Sequence, residues 1–304
     1  MSKNTRKLIA VAAALAVLSL LTGPVASQDV QPKVYTPAPV GVNLFTLGYA
    51  YSSGAVLFDK TIPIDDATGD IHSFTAGYSR SIGVFGMAGR ADAAMPLVTG
   101  DWEGDVVRKF QTTSLTGLAD PVLRFAVFVV GAPAMTSKQF AGFRPKTIVG
   151  ATMRISLPLG QYYSDKLVNL GSNRWSFSPQ VGVSHLAGRF LIEAYASAWF
   201  FTDNGEFLGT NTLSQDPLFT FQIHAGYRFR PGFWIAASSR QSLGGATMIN
   251  GGDKLAPEAN NRVGITMAYR TGPRYALRAS FTTGLTATAG NDYSTFAVGG
   301  QVIF

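Results

Sequence analysis

Apolar and polar side chains alternate with period two in segment after segment of this chain. That limits it to folds whose strands have two unlike faces. The clearest segment sets Phe219, Phe221, Ile223, Ala225, Tyr227 and Phe229 against Thr220, Gln222, His224 and Arg228. The last segment, Tyr293 to Phe304, carries Phe296, Val298, Val302 and Phe304 on one parity, with Gly300 between them, and ends the chain on an aromatic. Taken alone, either fits a strand of a soluble sandwich, or a wall strand of a transmembrane barrel whose last strand closes against its first.

Ten more segments follow, at 45–51, 73–79, 84–94, 122–130, 147–155, 175–184, 190–198, 233–241, 263–269 and 275–281; of these 122–130 is nearly all apolar except Arg124 and 233–241 alternates more weakly. The links between them separate the two folds. Short links with Gly or Pro punctuation (Ser81 to Gly83, Leu186 to Gly188, Arg230 to Gly232, Thr271 to Pro273) alternate with long polar ones at 52–70, 95–118, 158–173, 202–217, 242–258 and 286–292. A barrel with long outer loops, short periplasmic turns and both termini periplasmic has this rhythm. A sandwich gives no reason for it. One link departs from the rule: Gly131 to Arg144 should be short and is long, so it reads as a small excursion or as a miscount of strands.

Aromatics add a third signal. Trp175 and Phe177, Trp199 and Phe200, Tyr227 and Phe229, Phe233 and Trp234, and Tyr269 and Tyr275 fall near strand ends, where barrels place their interfacial girdles. The fold class is therefore all-β: a transmembrane antiparallel β-barrel of about 12 strands, with 10–14 open and an even number expected. That width lies between a barrel filled by its own side chains and a wide porin.

The start of the chain is an address. Lys3, Arg6 and Lys7 precede an apolar run from Leu8 to Leu21, and Val25, Ala26 and Ser27 have the small or modest side chains a signal peptidase reads. The run is shorter than the ~20 residues a spanning helix needs. Residues 1–27 are thus expected to be a cleaved signal peptide rather than an anchor. Residues 28–40 hold Pro32, Pro37 and Pro39 and are expected to be an extended lead-in or a small plug; residues 41–304 form the barrel. Loss of the leader removes three positive charges from a formal net charge of +7. The remainder is too mild to argue a nucleic-acid partner.

With no cysteine in 304 residues, thiolate metal sites, disulfides and cysteine nucleophiles are excluded. The histidines are His72, His185 and His224. In the pairs His72-Ser73 and Ser184-His185 the two side chains point to opposite strand faces, so only cross-strand pairing offers a nucleophile–base bond. Asp65, Asp66 and Asp70 share a loop but match no ordered calcium spacing. No catalytic residue, metal ligand or cofactor is assigned.

The face opposite the apolar parity is more informative. It carries Arg90, Arg124, Arg154, Arg174, Arg228, Arg262, Arg274 and Arg278 against few acids, Asp92 and Glu193 being the clearest. A lumen so lined lowers the barrier to anions and carboxylates. Any single arginine also fits a bracing role, or contact with lipopolysaccharide phosphate. The residues expected to line the lumen are Arg90, Arg124, Arg154, Arg228, Arg262, Arg278 and Glu193; Trp102, Phe207 and Phe219 are expected to offer apolar capture at the outer mouth.

Three stretches carry a family likeness. Gly117-Leu-Ala-Asp-Pro121 runs into a strand. Leu157-Pro-Leu-Gly-Gln-Tyr162 is followed by Leu167-Val-Asn-Leu-Gly-Ser-Asn173 and Arg174-Trp175. Asn261-Arg-Val-Gly-Ile265 leads to Tyr269-Arg270. Their order resembles that of the outer-membrane transporter family named for the MetA-pathway (meta-pathway) of phenol degradation, over about the last two thirds of the mature chain. The resemblance implies an outer-membrane barrel that passes small hydrophobic or aromatic compounds, and it brings no catalytic residues. Expected partners are outer-membrane lipid and lipopolysaccharide, such solutes, and the barrel-assembly machinery, which would read Tyr293 to Phe304. A non-transporting structural or adhesive barrel and a membrane-embedded lipid hydrolase stay open as alternatives.

Overall fold

The computed structural model describes residues 30–57, 64–106, 109–166, 168–255 and 257–304. The leader expected at 1–27 lies outside them. In chain order the strands are β1 (Asn43–Leu57), β2 (Ile64–Val84), β3 (Met87–Val106), β4 (Lys109–Leu118), β5 (Val122–Val130), β6 (Thr147–Ser156), β7 (Ser176–Ala187), β8 (Phe190–Phe201), β9 (Asn204–Phe207), β10 (Asn211–Gln215), β11 (Leu218–Arg230), β12 (Phe233–Gly244), β13 (Thr247–Ile249), β14 (Glu258–Arg270), β15 (Tyr275–Thr286) and β16 (Gly290–Ile303). One short helix, α1 (Ser137–Ala141), lies between β5 and β6.

Twelve strands close into an antiparallel cylinder, in the order β2-β1-β16-β15-β14-β12-β11-β8-β7-β6-β5-β3, with β3 returning to β2. Closure leaves the wall no edge strand. The seam is formed by the chain ends: β1 and β16 pair from Leu44↔Ile303 to Leu57↔Gly290. Asn43 and Phe304 exchange backbone hydrogen bonds of 2.9 and 3.0 Å below them. The terminal aromatic segment is thus the closing strand.

The two parities face two media. Leu47, Phe221, Ile223, Ile265 and Phe281 stand exposed on the outside of the wall. Thr220, His224, Ser238, Thr266 and Arg262 point in and are buried. In water, so much exposed apolar surface would drive association; against hydrocarbon it is the expected exterior. At the periplasmic end, rings meet in a chain: Phe190 to Tyr227 (5.1 Å), Tyr227 to Phe229 (4.9 Å), Phe229 to Phe233 (5.1 Å) and Phe233 to Tyr269 (6.1 Å). Two girdle expectations are corrected. Trp199 and Trp234 face the lumen, where Arg154 sits 5.3 Å from the first ring and the Lys33 ammonium 5.0 Å from the second.

Much of what reads as long outer loop is strand. β2 has 21 residues and β3 has 20, about twice the ~9–11 that cross a bilayer. Most of 52–70 and 95–118 therefore continues β1 to β4 beyond the membrane. The outward side chains there are polar, among them Asp70, Asp101 and Glu103. Within 202–217 and 242–258, β9, β10 and β13 make a small separate sheet. The long link after β5 is a small excursion: Thr136 caps α1 in a capping box with Gln139, and Pro133 bridges to Met87.

Candidate functional site

Residues 30–35 lie inside the cylinder, largely against side chains of β5 to β8, and 36–40 lead out at the periplasmic end to Ser81 and Met135. The Lys33 N–H donates to Glu193 Oε2 at 2.7 Å, and the Val34 N–H to the Tyr195 hydroxyl at 3.3 Å. Tyr35 is buried among Phe128, Ile148 and Tyr195, and its hydroxyl accepts from Gln180 Nε2 at 3.1 Å. A pair of glycines makes room for its ring. A Cβ on Gly150 would come 2.3 Å from Tyr35 Cδ1, and one on its cross-strand partner Gly182 2.5 Å from Cε2. Burial lowers the Lys33 ammonium pKa, with the attraction of Glu193 opposing, and raises that of the Tyr35 hydroxyl.

Outward of this segment a cavity of about 370 Å³ runs along β14 to β6. Gln31 faces it from the N-terminal side, and Arg124, Arg154, Arg262 and Asp92 stand in its wall. Asp92 Oδ2 accepts from Arg90 Nε at 3.1 Å and Arg124 Nε at 2.6 Å, so one carboxylate serves two guanidinium groups. Arg124 Nη1 also donates to Gln31 Oε1 at 3.0 Å, linking wall to segment. Arg262 Nη2 donates to the Tyr293 carbonyl at 2.5 Å. Further out, Trp102, Val98, Leu115, Ala119, Val168, Leu170 and Tyr293 form an apolar collar, beside a second cavity of about 510 Å³.

Of the residues expected in the lumen, Arg90, Arg124, Arg154 and Arg262 are thus gathered near one chamber. Glu193 is inside as well, but is used by the N-terminal segment. Arg228 and Arg278 are not at the chamber. Arg228 is exposed at the periplasmic end, donating to the Gly188 carbonyl at 3.2 Å; Arg278 lies on β15 close enough to Lys33 and His224 to act on both electrostatically. Arg240, missed because its strand alternates weakly, is buried and faces a small space beside Gln31, Arg154 and Trp199.

The three capture residues separate. Trp102 is inward and part of the collar, but on a strand rather than a loop. Phe207 is corrected: at 0 % exposure it is the core of the β9–β10–β13 sheet with Leu213, so no solute meets it. Phe219 is corrected too: it lies on the outward parity of β11, 47 % exposed, and faces lipid.

Each histidine takes a hydroxyl partner through Nδ1: His72 with Tyr49 (2.8 Å), His185 with Thr147 (2.8 Å) and His224 with Ser238 (2.7 Å). Only His224 meets a serine, opposite Glu193 in register, and it is fully enclosed at 0 % exposure. Among the described residues no group of carboxylates and histidines could hold a metal; the Asp65 side chain lies outside them.

Two of the three family stretches, 117–121 and 157–175, fold onto one another. Asp120 Oδ1 accepts from the Gly160 N–H, and its Oδ2 from the Ser172 N–H, both at 2.9 Å. Beside them Arg174 is buried, donates to Gln215 Oε1 at 2.5 Å, and has its pKa lowered by burial to about 10.

A family model described as "MetA-pathway of phenol degradation" matches residues 65–302. No curated protein matches the chain. Among solved structures it is similar to the COG4313 outer membrane channel from Pseudomonas putida F1, with 18 % identity and a TM-score of 0.75 over 91 % of this chain and 100 % of that one. A weaker likeness joins it to the transport unit of the autotransporter AIDA-I from Escherichia coli, with 8 % identity and a TM-score of 0.54 over 94 % and 95 %. These likenesses place the fold among outer-membrane barrels.

Proposed function

The chain belongs to the family described as "MetA-pathway of phenol degradation", and on that footing we propose that it is an outer-membrane channel for small hydrophobic or aromatic compounds. Solutes enter at the apolar collar around Trp102 and diffuse through the arginine-bearing interior. The N-terminal segment acts as a plug, with Lys33, Val34 and Tyr35 held by Glu193, Tyr195 and the Gly150–Gly182 seat. The observation that carries the reading is the sequence of environments along the axis: apolar collar, then a polar, cationic chamber of about 370 Å³, then the N-terminal segment. A closed core would fill that space; a route needs it. The similar barrel from Pseudomonas putida F1 is described as an outer membrane channel, which agrees with this reading.

The test is purified protein in planar bilayers and loaded liposomes, intact and with residues 28–40 deleted. Expected are a small conductance in the intact protein, a larger one after deletion, and entry of benzoate-sized aromatics ahead of sugars. Absence of both conductance and flux in both forms would end the channel reading. One observation favours a non-transporting barrel instead: Asp92 neutralises part of the wall charge while the N-terminal segment occupies the lumen. That reading predicts that deletion opens nothing.

A further inference from the structure

The chamber below the collar joins an apolar surface to a cationic one. Its outer part is apolar: Val98, Ala119 and Tyr293 belong to the collar, and Ala94 and Pro96 continue the same surface inward on β3. Across from this surface its wall carries Arg124, Arg154 and Arg262, with Asp92 the carboxylate lining it, already shared by Arg90 and Arg124. Arg262 is 6 % exposed, and its Nε finds no hydrogen-bond partner while Nη2 is held by the Tyr293 carbonyl. Asp292, which acts on Arg262 electrostatically, stands on the outer part of β16 and does not line the chamber.

A buried guanidinium with an unmet donor is costly unless an acceptor reaches it. A carboxylate is the acceptor that matches its planar fork. Hydroxyls of Ser52, Ser280 and Thr295 complete the polar side, and about 370 Å³ suits a single small ligand. We propose that this chamber binds a small amphiphilic carboxylate, an aromatic acid being the best fit, with its carboxylate on Arg262 and Arg154 and its apolar end against Pro96, Val98 and Ala119. A cation is repelled here. A neutral aromatic alcohol offers the guanidinium only a weaker, uncharged acceptor, and an inorganic anion makes no use of the apolar half. The proposal rests on the channel reading only for how the ligand arrives.

The experiment is isothermal titration of the purified full-length mature protein in detergent, with benzoate, benzyl alcohol and sulfate as probes and matched empty micelles subtracted. Saturable benzoate binding is expected, at least about tenfold tighter than benzyl alcohol, the difference a charge-assisted hydrogen-bonded pair produces. Arg262→Gln should weaken benzoate about tenfold or more, and Arg154→Gln should weaken it too. Ala94→Phe, which fills the chamber without touching a charge, should abolish binding. Heat-modifiable gel migration confirms that each variant is folded; should Arg262→Gln fail to fold, Ala94→Phe decides alone. Equal affinity for benzoate and benzyl alcohol, tighter binding of sulfate, or unchanged benzoate affinity in a folded variant would overturn the site. Flux of neutral aromatics without benzoate binding would sink this site and leave the channel standing; binding without any flux would do the reverse.

Discussion

Asp120 and Ser172 are joined twice through one carboxylate oxygen: Oδ2 accepts from the serine N–H at 2.9 Å and from its hydroxyl at 2.5 Å. The other oxygen takes the Gly160 N–H at 2.9 Å, and the side chain is fully buried. Gly171 lies so close that a Cβ there would meet the Gly160 carbonyl carbon at 2.7 Å. Two of the three family stretches, separated in sequence, therefore form one corner, built where β4 hands over to β5 and the 157–173 segment crosses it.

Asp120→Ala should destabilise the barrel by about 3 kcal/mol, because buried donors lose a charged acceptor together. Asp120→Asn should cost less, since its amide still offers one oxygen. Urea titration of folding into detergent or lipid, read by gel mobility, measures both. An unchanged midpoint for Asp120→Ala would mean the corner does not bear on stability.

Tyr35 depends on the absence of side chains at Gly150 and Gly182. Gly182→Ala would place a methyl about where the Tyr35 and Tyr195 rings now lie, at 2.5 and 2.4 Å. The segment must then shift. The expected result is a higher open-state conductance with little change in the barrel's own unfolding midpoint, because the wall hydrogen bonds are untouched. Tyr35→Ala should act the same way, giving up the roughly 3–5 kcal/mol a buried aromatic ring contributes to its docking. Single-channel recordings of the two variants beside the intact protein decide it. Unaltered conductance in both would show that the segment does not limit the pore.

The wall is legible in the sequence because lipid on one side and a wet interior on the other impose period two on every spanning strand. Phe219 to Phe229 shows this most clearly. Where the constraint ends, so does the signal. Beyond the membrane both faces of β2 and β3 tolerate polar residues, so Asp70, Asp101 and Glu103 read as loop although backbone pairing continues through them. Phe207 misleads for a related reason: an apolar residue in a polar stretch reads as exposed, and a local three-stranded sheet buries it. Arg240 sits on a strand, Phe233 to Gly244, whose serines and alanines blur the alternation. That Arg90 and Arg124 share Asp92 needs strand register, since parity alone gives a facing direction and not a neighbour.

Ile223 stands mid-strand on the outer face of β11 at 62 % exposure. Ile223→Arg should cost roughly 2–4 kcal/mol of folding free energy in bilayers, because the charge is driven into hydrocarbon. Ile223→Leu should be close to neutral. Urea unfolding in vesicles of fixed thickness gives both values. A cost below about 1 kcal/mol for the arginine would place this surface away from the bilayer centre.

Asp92 offers the cleanest control of lumen charge. Its carboxylate holds two guanidinium groups, so the Arg90–Asp92–Arg124 cluster carries one formal positive charge. Asp92→Asn leaves the arginines in place and raises that charge to two. The reversal potential under a potassium chloride gradient should then move toward the chloride equilibrium value, with and without residues 28–40. Arg124→Gln should move it the opposite way. Losing the shared carboxylate should also cost roughly 1–3 kcal/mol of stability, as two partly buried donors lose their acceptor. Ion flow takes the route past this cluster only if both charge variants shift the potential, each in its own direction; a potential indifferent to both would place the ion path elsewhere.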